Sequence, residues 1–404
     1  MHMTALLSSA DTPADLARLR AFVAARGVAA LSALERHLAR PRYRPAFTRI
    51  AERAGQIAGY ALIGHERLRL GTATLEAGRI AALDVPPIDH DGGELAALLG
   101  DCLGVLAEEQ LPLALVRGPA EAYTPFGFAA YHFSSAAEFW KHDHTQKDML
   151  RPVVEDDLED LAALYEASYG QLPLAAIRAA PDWRHWLADN QAVFGAEDSR
   201  GRLVAYALLG SDRMYDTQIA LEIDEAAAAD AGAARSLCAA LLSRARERHY
   251  ELVHLTLSPR HVVAQTAMQL GGNIWIECPK STDDMPLAGV VDLPLLLEAL
   301  APEFERRLAR SRYAGWSGNL RMEIETERIT LAFAEGHATV IDGSRPADLR
   351  LRQITLPALA QLCLGYRVAA DLRATGGLAC DDSALGLLDT LFPAVLATGT
   401  RAEG

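Results

Sequence analysis

The stretch DVPPIDHDGGELAALLGDCL, residues 84–103, contains groups that could bind an anion and groups that would repel one. A short glycine-containing turn leads here into a helix-periodic segment, and the free N–H groups of a helix start can hold a phosphate. Three carboxylates, those of Asp89, Asp91 and Glu94, stand in or beside the turn, without any arginine or lysine. Acidic residues in a first helical turn also stabilise the helix itself. The sequence leaves both interpretations open, an anion site or a helix start without a ligand.

Cysteine and histidine, which commonly bind metals, form no metal-ligand pattern in this chain. The five cysteines are widely spaced and none belongs to a CxxC pair, so neither a zinc site nor a disulfide framework is predicted. The run WKHDH, residues 140–144, lies in a polar connecting segment without a second cluster of ligands. We therefore predict no metal cofactor.

The charge of the chain limits its partners. The 404 residues carry a formal net charge of −14, with an isoelectric point of about 5.3. This charge argues against nucleic acid and anionic membranes as partners and favours cationic small molecules, although acidic surfaces commonly serve solubility alone. No apolar run is long enough for a signal peptide or a membrane span, which predicts a cytoplasmic protein with reduced thiols.

Two polar, proline-containing segments divide the chain into three predicted domains. KHDHTQKDMLRP (141–152) and ECPKSTDDMPLAG (277–289) have the composition of linkers. We predict domain limits of 1–146, 150–280 and 285–404, each of a usual domain size.

The first two blocks share one order of elements and are predicted to be internal repeats. Each has an amphipathic helix, a glycine-turn hairpin that ends in Tyr-Ala-Leu, a strand, a long helix, another strand and a closing segment that ends in glycine. The third block instead has one long helix, alternating strands and two short helical segments. These patterns predict a mixed α/β or α+β fold with helices packed on the sheets.

Three stretches carry a resemblance to a known family: PRYRPAFTRIAERAGQIAGYALI, AYTPFGFAAYHF, and ADLRLRQITLPALAQLCLGYR with LLDTLFP. The order strand, turn, helix, strand and Tyr-x-x-x-Gly-Phe resembles the GNAT acetyltransferases, and it occurs twice in tandem. Two such blocks before a sterol-carrier-protein-like block resemble the enhanced-intracellular-survival acetyltransferases over nearly the whole chain. The resemblance implies two tandem GNAT-like mixed sheets flanked by helices, followed by a sterol-carrier-protein-like α+β domain.

The resemblance implies that the first block binds acetyl-CoA as the acetyl donor. In such enzymes a turn before a helix holds the pyrophosphate, and here Gly93 falls at the required glycine while His90 stands where arginine is usual. The preceding strand end pairs its backbone with the pantetheine arm, and one of its N–H groups holds the thioester oxygen. The residues implied for cofactor binding are Leu83, Asp84, Val85, His90, Gly92 and Gly93.

The resemblance also implies an acid and a base. Tyr123 stands four residues before Gly127, where a tyrosine protonates the departing thiolate, and a phenol suits this role because it keeps its proton at pH 7. The structural alternative is a tyrosine at a helix end that packs against the sheet. The implied base is the C-terminal carboxylate, here that of Gly404, although the family's aromatic C-terminal residue is missing. Glu121 or a water chain is the alternative base.

The corresponding turn of the second block, residues 229–234, keeps a glycine at position 232 but has no basic residue. By resemblance, this block is expected to be a scaffold that binds no cofactor. The third block is expected to complete the acceptor groove and the interface of a homo-oligomer.

The sequence therefore predicts a cytoplasmic, homo-oligomeric N-acetyltransferase that moves an acetyl group from acetyl-CoA to a primary amine by direct attack in a ternary complex. Family analogy implies a small-molecule or lysine-like acceptor with several positive charges, such as an aminoglycoside or a polyamine. Two other interpretations stay open: a catalytically silent GNAT-like scaffold with degenerate CoA turns, and a protein that binds lipid through its C-terminal domain.

Overall fold

The computed structural model describes residues 6–84, 93–132, 134–140, 150–190, 192–211, 213–215, 218–277, 285–324 and 327–395. Their contacts form two compact units. The first unit takes the described residues of 6–68, 72–131 and 285–394, and the second takes those of 69–71, 132–277 and 395. The first unit thus combines the N-terminal and C-terminal parts of the chain. The three domain limits drawn from the sequence stay a prediction.

The N-terminal part of the first unit follows the predicted order of helices and strands. Its elements are β1 (Leu6–Ser9), α1 (Pro13–Ala24), α2 (Val28–Leu38), β2 (Thr48–Arg53), β3 (Gln56–Leu70), β4 (Ala73–Asp84), α3 (Gly93–Glu108), β5 (Leu113–Gly118), α4 (Ala120–Tyr123) and β6 (Ala129–Ala130). The Asp15 N–H donates to the Thr12 hydroxyl at 3.1 Å, which caps α1. β2 and β3 form the predicted antiparallel hairpin, which turns at Ala54 and Gly55, both with positive φ.

Helices cover both faces of the sheet in this unit. Side chains alternate along β3, so Tyr60 and Leu62 pack with α1 and α2, whereas Ala61 and Ile63 pack with α3. β4 and β5 are parallel and are joined by α3. The sheet therefore separates two apolar cores, one under α1 and α2 and the other under α3.

The second unit repeats this arrangement. Its elements are β7 (Ser134–Trp140), β8 (Arg151–Pro152), α5 (Leu158–Tyr169), β9 (Ala175–Ala176), α6 (Ala180–Asp189), β10 (Val193–Glu197), β11 (Leu203–Leu209), β12 (Arg213–Tyr215), β13 (Gln218–Ala228), α7 (Ala231–Glu247), β14 (Leu252–Leu255), α8 (Val262–Gln269) and β15 (Asn273–Glu277). β13 and β14 are parallel and joined by α7, as β4 and β5 are joined by α3. Trp183 and Trp186 of α6, three residues apart on one helix face, are both buried in the core.

The C-terminal part adds a strand to the first sheet and a separate small sheet. Its elements are β16 (Met285–Val290), α9 (Leu293–Ala309), β17 (Gly318–Ile324), β18 (Glu327–Ala334), β19 (His337–Asp342), β20 (Leu349–Ile354), α10 (Leu356–Cys363), α11 (Ala369–Ala374), β21 (Ala379–Cys380) and α12 (Asp382–Leu391). The small sheet has the order β19-β18-β17-β20-β21. In α9, the Glu303 carboxylate accepts hydrogen bonds from the N–H and the hydroxyl of Thr72, which follows β3. In α10, the Gln361 amide donates to the Ala130 carbonyl at 3.1 Å.

Each of the two larger sheets contains a strand from beyond its own sequence block. The first sheet has the order β1-β2-β3-β4-β5-β16-β6, so β16 lies between two strands of the first block. The second has the order β15-β7-β14-β13-β11-β10-β8, so β7 lies between β15 and β14. Both sheets are thus completed by strands distant in sequence. Among the described helices, none combines the length and the apolarity needed to cross a membrane.

Candidate functional site

The C-terminal end of β4 extends beyond its pairing with β5. In the described residues, the parallel ladder runs from Ala77 paired with Leu113 to Ile80 paired with Val116. β4 itself continues to Asp84. Among the described residues, no strand pairs with β4 beyond Ile80 on the β5 side, so an extended ligand could pair with its backbone there as a strand would.

The side-chain alternation of β4 shifts at the same place. Ile80 and Leu83 pack in the core under α3, whereas Ala82 packs in the core under α1 and α2. Residues two apart on a regular strand share one face, so the separation of Ile80 and Ala82 indicates a bulge-like irregularity between them. A bulge bends a strand and interrupts its pairing, which explains why the ladder ends at Ile80.

The start of α3 can accept an anion. Among the described residues, a Cβ added at Gly93 would meet no heavy atom within 4 Å, so this part of the chain leaves space beside the helix start. The first N–H groups of a helix have no partner within the helix. The sequence predicted that Glu94 would oppose an anion here, but its carboxylate is 3% exposed and forms an ion pair with Arg53 at the end of β2. The negative charge of Glu94 therefore opposes anion binding at this helix start less than the sequence indicated.

The described residues include only part of the predicted cofactor site. Leu83 is half-buried against the α3 core, and the Asp84 carboxylate forms an ion pair with Arg26, which follows α1. This ion pair links the end of β4 to the face of the sheet that α1 and α2 cover. Six residues singled out in the sequence lie outside the described part of the chain: Val85, Asp89, His90, Asp91, Gly92 and Gly404.

Tyr123, the predicted acid, is the last residue of α4 and is 6% exposed. Its ring packs edge-on against Phe128, with the ring centres 5.9 Å apart. A Cβ added at Gly118 would lie 2.7 Å from Cε2 of Tyr123 and 3.3 Å from its hydroxyl oxygen, so the ring needs a glycine there. Burial raises the pKa of the Tyr123 hydroxyl, and Cys102 adds to the shift. The hydroxyl is therefore protonated at pH 7 and can donate a proton.

One core holds Tyr123 together with the end of β4. Ile80, Leu83 and Tyr123 belong to the same apolar cluster under α3. Glu121, the alternative base, lies instead on the exposed side of α4. Sequence reasoning missed Gly118, although a glycine at a strand end before a proline was a signal of close packing. It also missed Arg53, because nothing local in the sequence pairs this residue with Glu94.

Solved structures of other proteins match the chain over almost its full length. A GCN5-related N-acetyltransferase from Anabaena variabilis ATCC 29413 is similar with a TM-score of 0.70 and 17% identity, covering 97% of this chain and 98% of that one. One from Kribbella flavida has a TM-score of 0.68 and 19% identity, covering 98% and 97%. Eis1 from Mycobacterium abscessus has a TM-score of 0.62 and 16% identity, covering 98% of both chains.

This chain has the tandem GNAT fold. The profile of the sterol carrier protein domain matches residues 321–397, which confirms the predicted character of the C-terminal part. No curated protein matches the chain. The predicted fold class, two GNAT-like mixed sheets and a sterol-carrier-protein-like α+β domain, is confirmed.

In the second GNAT unit, groups of the chain itself bind the corresponding strand end. The ladder between β13 and β14 ends at Ile223, and β13 continues to Ala228. The N–H of Ala228 donates to the Ser168 hydroxyl at 3.1 Å, and the N–H of Ala226 donates to the Tyr169 hydroxyl at 3.4 Å. Both hydroxyls come from α5. They accept hydrogen bonds from backbone donors of β13 that lie beyond the end of its ladder with β14.

The helix start of the second GNAT unit is also occupied from within. The carboxylate of Asp230 accepts a hydrogen bond from the Ala233 N–H at 2.8 Å and caps α7. A carboxylate at this position already provides the negative charge that a helix start attracts. The corresponding start of α3 has its first-turn carboxylate turned into the interior instead. The two GNAT units therefore share a fold but differ in the groups that remain available to a ligand.

Proposed function

We propose that the first GNAT unit transfers an acetyl group from acetyl-CoA to a primary amine. The main support is the contrast between the two units. In the described residues β4 has no β5 partner beyond Ile80, and its Leu83 packs against the same core as Tyr123, whereas the end of β13 is hydrogen-bonded by Ser168 and Tyr169. The names of the similar solved structures, GCN5-related N-acetyltransferases, favour the same type of activity.

The residues present fit the two polar parts of acetyl-CoA. In our proposal the pyrophosphate binds the N–H groups at the start of α3 from Gly93 onward, with His90 and Gly92 completing the turn. The pantetheine arm pairs, in the same proposal, with the backbone of Leu83 and Asp84 of β4 and of the following Val85, as an additional strand would. Because these contacts are made by the main chain, they need no arginine in the turn.

The chemistry follows from these positions. The amine nitrogen attacks the thioester carbon, the new C–N bond forms, and the C–S bond breaks. A backbone N–H at the end of β4 stabilises the negative charge on the thioester oxygen during the attack. The hydroxyl of Tyr123 gives its proton to the departing thiolate. The amine gives its proton to a base, for which we propose the carboxylate of Gly404, with Glu121 as the alternative.

The second GNAT unit acts in this proposal as a scaffold that binds no cofactor. Its strand end and its helix start are satisfied by Ser168, Tyr169 and Asp230. A ligand at this place would have to displace intramolecular hydrogen bonds before forming its own. We further propose that the protein works in the cytoplasm as a homo-oligomer.

The proposal is tested by titrating the full chain with acetyl-CoA in a calorimeter and by following thiol release with an amine panel. The panel comprises an aminoglycoside, a polyamine and a lysine peptide. We expect Tyr123→Phe to bind acetyl-CoA as the wild type does but to lower kcat by about 10²- to 10⁴-fold, because only the proton donor is lost.

Tyr165→Phe is the matched control, since Tyr165 is an equally buried tyrosine in the core of the second GNAT unit, which the proposal treats as a scaffold. It should leave kcat unchanged. No binding at millimolar acetyl-CoA would overturn the proposal in favour of a silent scaffold. Wild-type turnover by Tyr123→Phe would remove Tyr123 from the mechanism, and co-purified lipid in a native mass spectrum would support lipid binding instead.

A further inference from the structure

An arginine-rich segment runs from the last turn of α2 into the start of β2. Residues 36–49 contain five arginines and one histidine without any acidic residue, in a chain with a net charge of −14. Arg44 forms an ion pair with Glu109, and Arg49 forms two hydrogen bonds with Asp101. These two arginines serve the fold. The remaining arginines of the segment are Arg36, Arg40 and Arg42.

Arg40 stands out because it is half-buried and lies directly on the sheet. Its guanidinium rests against Gly64 of β3, where any Cβ would collide with Nη1 of Arg40. The same Cβ position is 3.9 Å from the backbone carbonyl oxygen of Arg79 on β4. The positive charge of Arg40 is thus held against the sheet, and no carboxylate of the described residues forms an ion pair with it.

Two further polar groups lie beside Arg40. His37 is 4% exposed, and neither of its ring nitrogens has a hydrogen-bond partner among the described residues. Burial, together with the charge of Arg40, lowers the pKa of His37 to about 3, so its ring is neutral and carries one N–H. The ring packs edge-on against Tyr43 at 5.7 Å, and the Tyr43 hydroxyl accepts a hydrogen bond from Thr48. A hydroxyl that accepts can still donate its own proton.

An unsatisfied buried polar group is costly and therefore indicates an absent partner. Here the available donors are an N–H, an O–H and a guanidinium. His37 is in ring contact with Tyr43 and close enough to Arg40 for its charge to act on the imidazole, and donors of these types bind anions such as a carboxylate or a phosphate. Glu66, on the same face of β3, does not oppose an anion because it is ion-paired with Arg79.

The position of Arg40 relates it to the proposed reaction. Tyr60 and Leu62 of β3 face α1 and α2, so by alternation Gly64 and the guanidinium lie on that face. Arg79 immediately precedes Ile80, where the ladder between β4 and β5 ends. Arg40 therefore lies near the point where this ladder ends, on the opposite face of the sheet from Tyr123, and our inference places the approach of the acceptor on that face.

We propose that Arg40, assisted by His37 and Tyr43, binds an anionic group of the amine acceptor, either a carboxylate or a phosphate. This inference rests on the proposed acetyl transfer and narrows its acceptor to an amine that also carries a negative charge. It differs from the polycationic acceptor implied by family analogy.

The test uses the full chain and three pairs of amines that differ only in the anionic group: L-lysine against 1,5-diaminopentane, L-phenylalanine against 2-phenylethylamine, and O-phosphoethanolamine against ethanolamine. The wild type should prefer the anionic member of at least one pair in kcat/KM. Arg40→Gln should reduce kcat/KM for that member by about 10- to 100-fold and leave kcat/KM unchanged for its partner, which lacks the anionic group. The first two pairs report a carboxylate site, and the third reports a phosphate site.

Gly64→Ala is a second variant that keeps the charge but displaces the guanidinium, and it should lose the same preference. Arg36→Gln, which changes an exposed arginine of the same arginine-rich segment, is the matched control and should keep the preference. Preference for the amines that lack the anionic group, or an equal effect of Arg40→Gln on both members of each pair, overturns the inference.

A binding measurement separates this inference from the proposed function. N-acetylphenylalanine, its methylamide and acetyl phosphate are titrated calorimetrically into the wild type and Arg40→Gln. Anion binding that disappears in Arg40→Gln supports the site even if no amine is acetylated, a result that would overturn only the acetyl transfer. Absence of anion binding by the wild type overturns the site.

Discussion

The fit of Tyr123 against Gly118 leads to a prediction about catalysis. Changing Gly118 to alanine places a Cβ 2.7 Å from Cε2 of the Tyr123 ring, where ordinary contact begins at 3.4 Å. The ring must therefore move by about 0.7 Å, or the end of β5 must move by the same amount. The ring is held on its other side by Phe128, so its hydroxyl cannot return to the same position without further rearrangement.

This displacement should affect the chemical step more than the binding of acetyl-CoA. A misplacement of about 1 Å in a catalytic group can lower the rate roughly 100-fold, so a shift of this size should lower kcat by about 10-fold or more. Tyr123 contributes no predicted contact to the pyrophosphate. The Kd for acetyl-CoA should therefore stay within about 2-fold of the wild-type value, which corresponds to less than 0.5 kcal/mol.

The assay compares thiol release with calorimetric acetyl-CoA binding in Gly118→Ala and Gly104→Ala. Gly104 lies in α3 on the surface, and a Cβ added there meets nothing within 4 Å. Gly104→Ala should keep full activity and add up to about 1 kcal/mol of stability, because alanine favours a helix over glycine. Full activity of Gly118→Ala would refute the positioning argument, and so would equal losses of kcat and acetyl-CoA affinity.

Two further predictions concern buried charges. Arg178→Met should lower the free energy of unfolding by about 3–5 kcal/mol, because Glu225 is fully buried and receives two hydrogen bonds from Arg178. Urea denaturation measures this loss. Adding Glu225→Gln to the same protein should restore part of it. Glu303 has competing influences: burial raises its pKa, but hydrogen bonds from Arg306 and Thr72 and the charge of Arg307 outweigh burial and lower the pKa to about 2. Its ionised form therefore stabilises the fold above about pH 4.5, and roughly 3 kcal/mol of this is lost as the pH falls to 2. Glu303→Gln should have a lower free energy of unfolding than the wild type at pH 7 and should lose less of it on acidification. Urea titrations of both proteins at pH 7, 4 and 2 measure this. The same pH dependence of the free energy of unfolding in both proteins would contradict the assignment.

The sequence by itself determined the local elements and their order. The glycine turn between β2 and β3, the helix caps at Thr12 and Asp230 and the core face of α6 all follow from residue types a few positions apart. Hydrophobic periodicity and turn chemistry act over such short distances, so they can be read without a structure. The repeat of strand, helix and parallel strand, and with it the tandem GNAT fold, was therefore predictable.

The tertiary structure alone decided which strands pair and which groups remain available. Alternation identifies β7 and β16 as strands but carries no information on their neighbours, so their insertion into sheets beyond their own sequence blocks was not predictable. The pairing of Glu94 with Arg53, and the contact of Arg40 with Gly64, likewise join residues far apart in sequence. Such partners are selected by packing across the whole fold. The sequence therefore located the turn before α3, and the structure showed which of its charges is compensated.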